Sequence, residues 1–160
     1  MKFHSAITSP INPPSATPVL TREQVFAGLK IKARNPLKFV PAFASCEVVK
    51  EDDAGLTRVV TFKPGTGPPG KVTEQVTFVG NVKADFFMPD TGTAISNIIS
   101  NGADETDLYL TFTFAWNFPG IVEGSEEAAA KAKMFAQTAS QVVPHTVAQI
   151  REMVKDGTIA

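Results

Sequence analysis

The sequence predicts an α+β fold: a curved antiparallel sheet of about seven strands wrapped around a long C-terminal helix, with two short helices after the first strand. Three observations carry this expectation. Strand-like segments follow one another from Cys46 to Asn117, separated only by short turns. One helix-period stripe then runs through the C-terminal stretch after Ser125. The chain also holds 12 Phe against one Trp and one Tyr, more apolar bulk than one face of a flat sheet hides.

The elements follow in order. Phe3 to Asn12 alternates loosely and ends in Asn12-Pro13-Pro14, so it reads as a strand closed by prolines. Thr21-Arg22-Glu23-Gln24 matches a capping box, with Thr21 as N-cap and Gln24 reaching back. Val25, Phe26, Leu29 and Ala33 continue at helical spacing to about Arg34, before Asn35-Pro36 stops the helix. Pro36 to Val40 starts a second short helix. Strands are expected over Cys46–Glu51, Leu56–Lys63, Val72–Val79, Val82–Met88, Thr93–Ser100 and Leu108–Asn117. Between them lie the turn Asp52–Gly55, the Gly/Pro loop Pro64–Gly70, the bend Gly80-Asn81, the turn Pro89–Gly92 and Asn101-Gly102. Ser125 caps the last helix, and Glu126 and Glu127 suit the positive end of its dipole. Phe135, Ala139, Val142, Thr146, Ile150 and Met153 form its apolar stripe, and Gly157 is a natural stop. Pro144 should kink or split it. Some 30 residues span about 45 Å, more than one core is wide unless the sheet wraps the helix.

Composition narrows the function. The 160 residues fit one domain, with 43% hydrophobic and 19% charged residues. Fifteen basic and 16 acidic residues are well mixed, for a net charge of −1. Nucleic acid is therefore not an expected partner, and no stable membrane association is implied. Cys46 is the one cysteine, so no intrachain disulfide forms. Met1 to Pro10 lacks the apolar core of a signal peptide, and no apolar run is long enough to span a bilayer. The cytoplasm is the expected compartment.

Few residues point to chemistry. Gly65 to Lys71 matches the spacing of a phosphate loop, but Val72 stands where Ser or Thr would bind magnesium. Pro68 and Pro69 also remove two N–H donors, so this is a hairpin loop. Arg58 shares a strand face with Val60 and Phe62, and Glu74 shares one with Val76 and Phe78. Closing that hairpin with Lys63 opposite Lys71 makes the two charges diagonal neighbours. A buried Arg–Glu pair is costly, so function is one reason to keep it, with Arg58 anchoring substrate and Glu74 moving a proton. The alternatives are a pair exposed near a strand end and a buried pair with a structural role. His145 follows Pro144 beside the helix stripe and is a third candidate for acid–base work, against a plain surface role. Two His and one Cys are scattered without ligand spacing, so no metal or other cofactor is expected.

Leu108, Leu110, Phe112, Phe114 and Trp116 make one face of the last strand, which should look at the long helix. That face is either ordinary core or a cavity wall, and the two readings overlap. The expected ligand-binding wall is Val60, Phe62, Val76, Phe78, Ser96, Ile98, Leu110, Phe112, Phe114 and Trp116 from the sheet, with Phe135, Thr138 and Val142 from the helix.

The element order resembles the helix-grip fold of the START, polyketide-cyclase and birch-pollen-allergen superfamily (SRPBCC). Leu20 to Leu29 followed by Ala33-Arg34-Asn35-Pro36 is similar to a bacterial and fungal family within it. Arg58–Phe62, Val76–Phe78, Leu108–Phe114 and Thr146–Met153 resemble that family's strand and helix patterns. The likeness covers nearly the whole chain and brings no catalytic signature. It implies a cavity between sheet and helix. Superfamily members bind lipids, hormones and polyketide-like molecules, and some catalyse cyclisation, aldol-type or dehydration steps. Expectation therefore divides between a binder of an apolar small molecule, an enzyme working in the same cavity, and a structural or homodimer-forming domain with a filled core.

Overall fold

The computed structural model describes residues 1–160, apart from the side chain of Thr138. Strand β1 (Lys2–Pro10) leads to helix α1 (Arg22–Arg34) and a 3-10 turn (Pro36–Lys38). Strands β2 (Phe43–Asp52), β3 (Gly55–Phe62), β4 (Lys71–Val79), β5 (Lys83–Met88), β6 (Thr93–Asn101) and β7 (Leu108–Asn117) follow, and helix α2 (Glu126–Lys155) ends the chain. The seven strands form one sheet in the order β1-β7-β6-β5-β4-β3-β2. Every neighbouring pair is antiparallel. β2 to β7 are thus a meander, and β1 returns beside the last strand. This is the sheet-around-helix architecture that the sequence pattern predicts.

Local chemistry explains the helix boundaries. Thr21 Oγ1 accepts from Gln24 N and Gln24 Oε1 accepts from Thr21 N, so both halves of the capping box form. Ser125 Oγ accepts from Ala128 N at the start of α2. Gly157, at φ 79°, takes the left-handed turn that ends it. Pro144 does not split α2, which continues through it for 30 residues. Pro144 and Ser140, whose carbonyl the proline leaves without its usual intrahelical donor, both lie on the exposed side of the helix. The expected second helix shortens to the single turn Pro36–Lys38.

The main core lies between α1, α2 and the concave face of β6 and β7. It contains Val25, Phe26 and Leu29 from α1, Ile99, Leu110 and Phe112 from the sheet, and Val143, Val147 and Ile150 from α2. The two helices meet closely at Gly28. A Cβ there would stand 2.4 Å from Ile150 Cγ1. Arg151 on α2 donates to the backbone oxygens of Ile11 and Pro18, fastening that helix to the end of β1. Among the described residues no helix is long and apolar enough to cross a membrane.

Candidate functional site

β3 and β4 pair with Arg58 directly opposite Glu74 and Thr61 opposite Lys71. The charges are direct neighbours, closer than the expected diagonal arrangement. On β3 the pairing ends two residues earlier, at Thr61, and the Lys63 N–H donates instead to Ala42 O, just before β2. Both side chains point inward, with Arg58 3% and Glu74 2% exposed. Arg58 Nε donates to Glu74 Oε2 at 2.6 Å, and Nη2 lies 2.5 Å from the same oxygen. Arg58 Nη1 donates to Lys32 O at 3.0 Å and Ala33 O at 2.8 Å. Those carbonyls belong to the last turn of α1, which has no helical donors for them. Most of the guanidinium is therefore committed to holding Glu74 and closing α1.

A third ionisable side chain joins this pair. Lys32 sits on α1 and is 6% exposed. Its Nζ donates to Asn97 Oδ1 on β6 at 2.6 Å. It stands 4.2 Å from the Phe112 ring centroid and 5.3 Å from that of Phe86. Burial, reinforced by the Arg58 charge and partly offset by Glu74, lowers its pKa to about 7. The amine is thus divided between its charged and neutral forms near neutral pH. Asn97 is fully buried, and its Nδ2 has no hydrogen-bond partner among the described residues.

These groups border a cavity of about 200 Å³ between the sheet and α2. Lys32, Arg58 and Glu74 are its buried polar residues. Phe43, Phe86, Phe112 and Phe114 are buried around it, while Phe62, Met88, Trp116 and Phe135 are half-buried. Ala139 and Val142 of α2 complete the wall. Trp116 lies between Phe114, stacked at 4.5 Å, and Phe135, tilted at 4.2 Å. The Pro64–Gly70 loop lies over one side. Thr66 borders the cavity, its Oγ1 donates to Ala42 O, and Gly67 packs against the Phe62 ring.

The cavity brings together Arg58, Glu74, Phe62, Phe112, Phe114, Trp116, Phe135 and Val142 of the residues singled out from sequence. Four others are inward but belong to the packed core. Val60 packs with Phe43 and Val72, Val76 with Leu56 and Phe86, Phe78 edge-on to Phe26, and Leu110 in the main cluster. Ser96 and Ile98 require correction. Alternation along β6 buries Thr93, Asn97 and Ile99, so Ser96 and Ile98 stand on the opposite face. Ser96 Oγ donates there to Asp85 Oδ1. His145 is also corrected: its Nε2 is 3.0 Å from Lys38 O, at the 3-10 turn and away from the cavity wall. Thr138 lies outside the described residues.

Sequence reasoning missed Lys32 and Asn97. A signal existed for Lys32, seven residues after Val25 and three after Leu29, on the same apolar stripe. Among the described residues no group of three or more His, Cys, Asp or Glu is placed to hold a metal ion.

Comparison with known proteins agrees with this architecture. The chain is similar to the Zhui aromatase/cyclase from Streptomyces sp. R1128, with a TM-score of 0.66, 15% identity and 96% of each chain covered. It is similar to the KanY protein, with a TM-score of 0.64 and 11% identity over 94% of this chain and 98% of that one. It is similar to Ara h 8.0201, with a TM-score of 0.57 and 12% identity over 94% and 97%. No curated sequence matches it. A family model described as acetylaranotin biosynthesis cluster protein L matches residues 5–157. The chain belongs to that family, and its fold is the helix-grip fold of the SRPBCC superfamily.

Proposed function

We propose that the protein binds a flat, largely apolar small molecule of the polyketide or secondary-metabolite kind in the cavity between the sheet and α2. One observation carries this reading: an aromatic-walled cavity whose buried polar residues are a Lys–Arg–Glu cluster. Its volume of about 200 Å³ suits a ligand of one or two fused rings. It lies below the roughly 300–1,000 Å³ of drug-sized sites. The family's description, with its reference to a biosynthesis cluster, supports that ligand class.

A second reading is favoured by Lys32. An amine with a pKa of about 7 beside a carboxylate is suited to proton transfer in a cyclisation, aldol-type or dehydration step. The aromatase/cyclase neighbour lends it support. In this reading Glu74 and Lys32 handle protons, while Arg58 positions them.

Trp116 is the only tryptophan and borders the cavity, so its fluorescence reports occupancy. Titration with 2-naphthol should quench it saturably. Native mass spectrometry of the same sample should show one bound molecule. A protein that neither quenches nor retains any small aromatic molecule would refute the binding reading.

A further inference from the structure

We infer that Lys32 captures carbonyl compounds, its amine forming a reversible imine with an aromatic aldehyde or 1,3-diketone held in the cavity. The inference rests on the ligand-binding reading above and names the reactive group and the substrate class.

The geometry supplies what such a step needs. Lys32 lines the cavity and is buried, so a ligand carbonyl reaching its amine would meet it without competing bulk water. The rings of Phe86 and Phe112 flank it and also line the cavity, giving an aromatic substituent apolar surface to pack on. Asn97 holds Nζ through Oδ1 and leaves Nδ2 unused beside it, a donor for the oxygen of a tetrahedral adduct. The charged groups facing the amine are Arg58 on β3 and Glu74 on β4, while Asn97 on β6 is neutral. Arg58 disfavours the ammonium form, and burial disfavours it more. Only the neutral amine is nucleophilic, and desolvation is a recognised way to activate lysine.

The balance is simple. Nζ attacks the carbonyl carbon, and an N–C bond forms as the C–O π bond opens to a carbinolamine. Loss of the carbinolamine oxygen, with two protons that began on the amine, then gives the imine and one water. With a 1,3-diketone the imine shifts a proton from the central carbon and settles as a conjugated enaminone. No oxidant, reductant or cofactor enters.

The test uses the full chain with 2-naphthaldehyde and, separately, 1-phenyl-1,3-butanedione. Trp116 quenching reports non-covalent entry. Cyanoborohydride added with the aldehyde converts any imine to a stable amine, and intact-mass analysis followed by peptide mapping locates it. The expected result is a gain of one probe less one oxygen atom, on Lys32, and a near-ultraviolet enaminone band with the diketone. Lys32→Met should lose both signals while keeping the wild-type circular dichroism. If that variant does not fold, the wild-type pH profile decides: capture should rise as pH increases through about 7. Quenching without an adduct on Lys32, or adducts on surface lysines alone, would overturn the covalent role and leave cavity binding standing. Neither quenching nor adduct would overturn both.

Discussion

Arg58 donates from Nη1 to the main-chain oxygen of Lys32, so the residue that neutralises Glu74 also closes the helix that carries the buried amine. Removing either member of the ion pair leaves the other charge buried and unpaired. Arg58→Met and Glu74→Met should therefore each cost about 3–5 kcal/mol. The double variant should cost clearly less than their sum, because no lone charge is left behind. Urea denaturation followed by circular dichroism checks this. Simple additivity would mean that the pair is not coupled.

Stability should depend on Lys32 in a definite direction. Its folded pKa, about 7, lies below its ordinary value of 10.5. Between those values the unfolded chain binds a proton that the folded chain does not, so stability rises with pH across that window. Below about pH 7 both states hold the proton, and the folded state bears the full cost of the buried charge. Lys32→Met should flatten this rise and gain stability most below pH 7. Denaturation midpoints measured from pH 6 to pH 10 test it, and an equal slope in both proteins would contradict the assignment.

Gly28→Ala places a methyl group within 2.4 Å of Ile150 Cγ1, in a fully buried contact. Alanine normally favours a helix interior over glycine by about 1 kcal/mol. Overpacking here should reverse that sign and cost about 1–3 kcal/mol net. Thermal melting checks the sign directly. A stabilised variant would show that α1 and α2 are less closely packed than the 2.4 Å approach indicates.

Phe135→Ala removes the α2 ring whose centroid lies 4.2 Å from that of Trp116. The loss of that aromatic pair should cost about 1 kcal/mol beyond the lost burial. Trp116 emission should shift to the red as water reaches the indole. Affinity for 2-naphthol should fall by roughly tenfold, the equivalent of about 1.4 kcal/mol. Unaltered emission and affinity would place the ligand elsewhere.

Most of the fold could be read from punctuation. Asn12-Pro13-Pro14, Asp52–Gly55 and Asn101-Gly102 bound the strand segments, and the capping box and Ser125 mark both helix starts. The site was less legible. The Pro64–Gly70 loop does not state where pairing begins, so the sequence alone could not tell Thr61 from Lys63 as the partner of Lys71. On β6, Ile95, Ile98 and Ile99 leave apolar residues on both faces, and alternation alone could not choose the parity that excludes Ser96. The adjacent Phe86 and Phe87 pose the same ambiguity on β5, where Phe86 turns inward and Phe87 outward. Lys32 was hidden differently. A lysine on an apolar helix stripe usually extends its amine to water, and only the packed sheet shows that this one does not.

The cavity draws its polar groups and its ceiling from different stretches of chain. Lys32, Arg58, Thr66 and Glu74 all precede residue 100, whereas α2 contributes only Phe135, Ala139 and Val142 among the described residues. Reactivity and ligand size can accordingly drift apart over evolution. Substitutions along three positions of one helix would resize the chamber while leaving the ionisable cluster intact, which makes α2 the place to begin when redirecting this scaffold toward larger or smaller molecules.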